Sequence, residues 1–210
     1  MSELGEPIEL LAHAAAGDQG ALTELFSRHR KRLKQMIRLR INRRLQGRVD
    51  ESDILQDAYL EAARRLPDYL TNRPLPFFLW LRHITGEKLI DSHRRHLGAK
   101  RRDAAREVPT PRGPTPEANS DLMAAWLMGR LTSPSQAAIK AETRLRVQEA
   151  LGSLDPIDRE ILMLRHFEQL TNVECAETLG MNESSSSSRY LRALKRLKDE
   201  LAEIQGLFGN

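Results

Sequence analysis

The stretch Thr171-Asn172-Val173-Glu174-Cys175-Ala176-Glu177-Thr178-Leu179-Gly180-Met181-Asn182 decides the fold of the C-terminal half. Thr171 with Glu174 three positions on is a capping box, in which each side chain satisfies a backbone N–H left open by the new helix. Gly180 ends that helix, because the left-handed residue that closes a helix is easiest for glycine. Asn182 then caps a second, longer helix on which Tyr190, Ala193/Leu194, Leu197, Leu201 and Ile204 recur every three or four residues. A short helix, a tight Gly180-Met181-Asn182 turn and a long basic helix have the dimensions of a helix-turn-helix. Ala176 is small enough for a close helix crossing, and Leu179 and Met181 plug the junction. Ser186 stands where such motifs usually bury an apolar residue.

Working outward, Asp155-Pro156 starts a preceding helix with proline at its first position. Ser133-Pro134-Ser135-Gln136 is another capping box, opening a helix that ends near Gly152. Four of the ten prolines fall between Pro109 and Pro116, which excludes a helix or central strand there. Residues 99–132 therefore read as a flexible, partly extended linker. Its apolar segment Leu122–Leu131, with Met123, Trp126, Leu127 and Met128, reads as a helical turn that docks on a neighbour. In the first half, Asp18 precedes Leu22, Leu25/Phe26, Leu33, Ile37, Ile41 and Leu45 on one helix face. Asp50 caps a second helix carrying Leu55, Ala58/Tyr59, Ala62 and Leu66, and Pro67 reads as its stop. A third helix runs from Phe77 to about Leu97. The fold class is all-α: two small helical domains, 1–98 and 133–210, joined by a proline-rich linker.

Composition agrees. Of 210 residues, 40% are apolar and only 5% aromatic, which disfavours a sandwich, barrel or parallel sheet. No apolar run approaches the ~20 residues of a membrane span. Glu3 and Glu6 stand where a signal peptide would be basic, so a cytoplasmic protein is expected. The lone Cys175 excludes an internal disulfide and a multi-cysteine metal site. No phosphate-binding glycine loop and no convergent metal or nucleophile cluster is seen, so no cofactor, no metal and no enzyme activity are expected.

The net charge of +4 hides strong blocks. Arg28–Arg48 holds ten Lys/Arg and no acid, Asp50–Glu61 five acids and no Lys/Arg, and Ser184–Lys198 five Lys/Arg and no acid. Basic blocks in a short chain point to a polyanion. On the last helix Ser184, Ser185, Ser187 and Ser188 would lie nearest a DNA groove, with Arg189, Arg192, Lys195 and Arg196 as the stronger anchors. Asp53, Asp57 and Glu61 form a carboxylate stripe beside Gln56, suited to a basic surface of a protein partner. The third helix interleaves Phe77, Phe78 and Trp80 with Arg82, His83, Lys88, Arg94 and Arg95. Tyr69, Asn72 and Arg73 precede it in the stretch Asp68–Leu75, read as a loop. This combination suits an unstacked base and its backbone.

Taken in order, these parts resemble a bacterial RNA polymerase sigma factor of the extracytoplasmic-function (ECF) family, over about 20–97 and 134–202. Asp53-Ile54-Leu55-Gln56-Asp57-Ala58-Tyr59 is similar to the family's core-binding helix, and Phe77-Phe78-Leu79-Trp80-Leu81 to its aromatic stretch. Asp91-Ser92-His93-Arg94-Arg95 is similar to the end of region two. Leu154-Asp155-Pro156-Ile157-Asp158-Arg159-Glu160-Ile161-Leu162 and Thr171–Arg189 are similar to region four. The resemblance implies that Asp53, Gln56 and Asp57, with Glu61 continuing their stripe, bind core RNA polymerase at its β′ subunit, the β subunit being a further contact. It implies that the 67–76 loop and the helix after it (Tyr69, Asn72, Arg73, Trp80, Arg82, His83, Lys88, Arg94, Arg95) read and melt the −10 promoter element. The helix 183–198 would read the −35 duplex. An anti-sigma factor is a common further partner in the family. The serine run departs from the family's recognition helix, and Trp126 has no counterpart role. A stand-alone helix-turn-helix regulator is the alternative, but it leaves the acidic stripe and the aromatic helix unused.

Overall fold

The computed structural model describes residues 8–42, 45, 47–73, 75–97, 107–110, 113–116, 119–131 and 137–202. They divide into two compact units, Met1–Ala105 with Arg112–Pro116 and Arg106–Pro111 with Glu117–Asn210. Both are helical, as the periodicity and caps predict.

The N-terminal unit holds α1 (Ile8–Ala15), α2 (Gln19–Arg40), α3 (Glu51–Asn72) and α4 (Phe77–Leu97). Asp18 and Asp50 cap α2 and α3: Asp18 Oδ1 accepts from the N–H groups of Gly20 and Ala21 at 2.8 and 3.1 Å, and Asp50 Oδ1 from Ser52 at 2.8 Å. The core is built from Leu25, Leu33 and Ile37 of α2, Ala58, Ala62 and Leu66 of α3, and Leu81, Ile84 and Leu89 of α4. Each set falls on one side of its helix, so one stripe of each helix is buried. Helix α1 escaped the sequence reading; its eight residues are too few to display a period, yet Leu11 and Ala14 are buried.

Two boundaries differ from expectation. Helix α2 ends at Arg40, one residue before Ile41, whose backbone is extended. Ile41 and Leu45 are buried all the same, so the apolar pattern outruns the helix. Pro67 does not stop α3, which continues to Asn72. An interior proline costs about 3 kcal/mol by deleting a hydrogen bond and crowding the preceding turn. Pro67 is exposed, while Leu66 and Tyr69 beside it are buried, and that packing carries the helix past the break.

The proline-rich stretch contains two strands of four residues, β1 (Glu107–Thr110) and β2 (Gly113–Pro116). Strand β2 packs on α4, and the buried Arg40 guanidinium donates to the Pro116 carbonyl at 2.7 Å.

The C-terminal unit holds α5 (Ser120–Leu131), α6 (Ala137–Ser153), α7 (Pro156–Leu162), a π turn (Met163–Phe167), α8 (Asn172–Leu179) and α9 (Glu183–Ala202). Helix α5 lies inside the span 99–132 read as flexible linker, and there the linker reading is too long. Asn119 Oδ1 caps it, accepting from Asp121 and Leu122 at 3.0 and 3.3 Å. Met123 and Ala124 are fully buried, the Trp126 ring lies 4.7 Å from that of Phe167, and Asp121 pairs with Arg144 of α6 at 2.7 Å. The docked apolar segment is thus a three-turn helix of this unit. The Ser133–Gln136 capping box lies outside the described residues. Asp155 caps α7 through the Ile157 N–H at 2.9 Å, with Pro156 at its start. Val147, Leu151, Ile161, Leu164, Cys175, Ala176 and Ala193 fill the core.

Candidate nucleic-acid interface

The helix-turn-helix forms as its caps dictate. Thr171 Oγ1 accepts from the Glu174 N–H at 3.2 Å, and Glu174 Oε2 accepts from the Thr171 N–H at 2.8 Å. Gly180 adopts φ 64°, the left-handed conformation that ends α8. Asn182 Oδ1 accepts from the Ser185 N–H at 2.7 Å, starting α9. Ser186 and Ala193 point inward, and Ser184, Ser185, Ser187, Ser188, Arg192, Lys195 and Arg196 are exposed. Those last three cations make no ion pair among the described residues. A helix N-terminus with open N–H groups, small polar side chains and unpaired cations on one face suits a phosphate-lined groove.

Two residues of α9 behave differently from expectation. Arg189, read as a DNA anchor, is turned inward: its Nη1 lies 2.7 Å from Asp158 Oδ1 and 3.5 Å from Asp155 Oδ1. The spacing held the signal, since position 189 lies three after Ser186 and four before Ala193, both buried. The Ser186 hydroxyl is completely buried and has no hydrogen-bond partner among the described residues. The Tyr190 hydroxyl lies 2.9 Å from His166 Nε2.

In the N-terminal unit the acidic stripe divides. Asp53 and Gln56 are exposed. Asp57 is partly exposed and pairs with Arg95 at 3.2 Å. Glu61 is a cross-brace: it accepts from Arg64 and Arg65 of its own helix and pairs with Lys88 of α4 at 3.3 Å. The Arg64 hydrogen bond, with those from Arg65 and Lys88, holds its carboxyl down at about 2. Glu61 thus joins two helices, and its charge is spent inside the unit. Leu60, which sequence reading passed over, is 58% exposed. The 53–56–60 spacing places it beside Asp53 and Gln56.

The residues read as a base cradle are rearranged. Tyr69 and Asn72 belong to α3, not to a loop. Tyr69 is buried, stacks on Trp80 with centroids 4.4 Å apart, and donates its hydroxyl to the Leu75 carbonyl at 2.9 Å. Trp80 is buried as well, with Phe77 at 5.5 Å. Arg82 is buried. His83 and Arg65 pair with Glu87 at 3.2 and 2.9 Å, and Lys88 is held by Glu61. Asn72, Arg73, Arg94 and Arg95 remain on the surface, with Arg73 in the left-handed region at φ 35° where α3 ends. Charged and aromatic composition does not say which residues pack; the bulk of an aromatic helix has to bury itself. His93, placed in a basic segment by sequence, is half-buried and accepts from the Asn42 N–H at 3.2 Å through Nε2. Burial holds its pKa down at about 4, so the ring is neutral, as an acceptor must be. Among the described residues no group of three or more His, Cys, Asp or Glu is arranged to hold a metal, and no helix is long and apolar enough to cross a membrane.

Comparison with known proteins fits this arrangement. The family model for sigma-70, region 4 matches residues 144–197, from within α6 to α9. The ECF RNA polymerase sigma factor SigD of Mycobacterium tuberculosis is 31% identical over 202 residues, covering 96% of this chain and 87% of SigD. The chain belongs to the ECF sigma factor family. The RNA polymerase sigma factor CnrH of Cupriavidus metallidurans is 28% identical, covering 90% of each chain. The structure of CnrH in complex with the cytosolic domain of CnrY superposes with a TM-score of 0.54 at 26% identity, over 92% of this chain and 95% of that one. As an ECF sigma factor the chain acts in transcription initiation, with a DNA-binding region 4 in its C-terminal unit. Helix α5 lies upstream of the matched region.

Proposed function

We propose that the chain binds core RNA polymerase through the exposed Asp53–Gln56–Leu60 face of α3, with Asp57 at its edge. Glu61 supports that face from within. A carboxylate, an amide and an exposed leucine on successive turns suit a basic, partly apolar helical surface, such as the β′ coiled coil. Residues 1–98 then act as region 2, and Asn72, Arg73, Arg94 and Arg95 contact the −10 element while the Tyr69–Trp80 stack supports them. Residues 133–210 act as region 4, and α9 reads the −35 duplex with Ser184, Ser185, Ser187 and Ser188 at the groove and Arg192, Lys195 and Arg196 on phosphate. The protein works in the cytoplasm, as a binding factor and not an enzyme. CnrH is known in complex with the cytosolic domain of CnrY, and a regulator of that kind is the further partner we assign here.

The observation that carries this reading is the coexistence of two separate surfaces, an exposed acidic helix face and a capped helix-turn-helix with unpaired cations. A stand-alone DNA-binding regulator needs only the second. Binding of the full chain to bacterial core RNA polymerase, beside an Asp53→Ala/Gln56→Ala double variant, tests it. Tight binding that the variant loses supports the assignment; a folded wild type that does not bind core overturns it.

A further inference from the structure

We propose that Arg189 is a positioning residue, which sets the orientation of α9 without touching DNA; this rests on the assignment of α9 to the −35 duplex. Its guanidinium bridges two carboxylates at the N-terminus of α7, Asp158 on its first turn at 2.7 Å and the cap Asp155 at 3.5 Å. The Asp158 side chain is only 11% exposed. If Arg189 swung out to a phosphate, Asp158 would be left charged, largely buried and unpaired, which is a strong penalty against the move. Arg189 shares the inward side of α9 with Ser186 and Ala193, whereas Arg192, Lys195 and Arg196 lie outward and free of ion pairs among the described residues.

Half-buried Tyr190, Leu194 and Leu197 and the bond from Asn172 Nδ2 to the Glu183 carbonyl at 2.9 Å hold α9 against its neighbours. The buried residues on its inner side are a serine and an alanine, Ser186 and Ala193, neither with a side chain that interlocks deeply. The charge-assisted bond from Arg189 Nη1 to a carboxylate fixed on α7 adds a directional contact in the middle of that inner side. The serines at 184–188 read bases through short side chains, so a small rotation of α9 takes them out of reach.

The test uses the full chain bound to core RNA polymerase and a −35 duplex recovered by the wild-type complex from a randomised pool. Affinity is measured for that duplex and for a scrambled one, across a salt series, for Arg189→Gln, Asp158→Asn, their double variant, Arg189→Lys and Arg192→Gln. Arg189→Gln and Asp158→Asn should each weaken the selected duplex about three- to tenfold, and the double variant no further, because both remove one interaction. Neither should change the salt slope or the scrambled duplex, and Arg189→Lys should recover part of the loss. Arg192→Gln should lower the log–log salt slope by about one. A slope lowered by Arg189→Gln, with Asp158→Asn binding as tightly as wild type or more so, would make Arg189 a phosphate contact and overturn the proposal. If Arg192→Gln and the 189/158 variants all bind as wild type, the −35 assignment of α9 fails and the proposal with it. The thermal melt of each free variant, followed by circular dichroism, verifies folding. Should Arg189→Gln not fold, Arg189→Lys and Asp158→Glu carry the same comparison.

Discussion

Tyr69 of α3 and Trp80 of α4 stack with their rings 26° from parallel, and the Tyr69 hydroxyl reaches across to the Leu75 carbonyl between the two helices. The pair therefore shapes the connection from which Asn72 and Arg73 project. Truncating Trp80 to alanine leaves a cavity costing about 3–5 kcal/mol, a large part of the stability of a small domain. Trp80→Ala and Tyr69→Ala should lower Tm markedly. Asn72→Ala/Arg73→Ala should leave Tm unchanged and reduce promoter melting, read by permanganate footprinting. A stable Trp80→Ala protein with defective melting would instead make the indole a direct DNA contact.

If the exposed face of α3 binds core polymerase as proposed, the division of the acidic stripe should separate stability from core binding. Glu61→Gln removes the negative charge shared by Arg64, Arg65 and Lys88, so thermal denaturation should shift to lower temperature. Asp53→Ala should leave the melt alone and weaken core polymerase binding. Leu60→Ala should act as Asp53→Ala does, since an exposed leucine contributes little to the free chain. Equal losses of core binding from Glu61→Gln and Asp53→Ala, without a change in Tm, would return Glu61 to the binding surface.

Acid should destabilise the N-terminal unit in two stages. His93 has its pKa lowered from 6.5 to about 4 by burial, so the unfolded chain binds its proton first. Stability is then fully present above pH 6.5 and falls as pH drops from there to 4. Glu61, lowered from 4.5 to about 2, adds a second loss between those values. His93→Gln should flatten the upper part of the Tm–pH curve and leave the lower. An unchanged curve between pH 6.5 and 4 would show that His93 titrates freely.

Ser186 is a weak point of the recognition helix. A buried hydroxyl without a partner costs about 1–3 kcal/mol, and removing the group removes the cost. Ser186→Ala should therefore raise Tm in a thermal melt, with the exposed serines of α9 untouched. A lower Tm would mean that a bound water satisfies the hydroxyl.

Helix starts were the most legible feature of the sequence, because a cap is a local event: Asp18, Asp50, Asp155 and Thr171 all act where their spacing places them, and so does Gly180 at the end of α8. What escaped depends on tertiary packing. Pro67 breaks a helix by its own chemistry and is overruled by Leu66 and Tyr69. The π turn at Met163–Phe167 leaves no local signature. Trp126 sits in a proline-rich neighbourhood and becomes helical by finding Phe167. At the candidate interfaces the sequence ranked the side chains of each helix by charge. Charge does not distinguish Arg192, which faces solvent, from Arg189, which is matched by two aspartates far away in the chain.

Asp155 has two tasks with one carboxylate: it accepts the Ile157 N–H at the start of α7, and it lies 3.5 Å from the Arg189 guanidinium. Fraying of the first turn of α7 thus slackens the grip on α9, and the two segments should open together as one cooperative unit. In amide exchange they would share a single protection level, set by the weaker of the two, so that α9 is no more persistent than the short helix that carries its clasp.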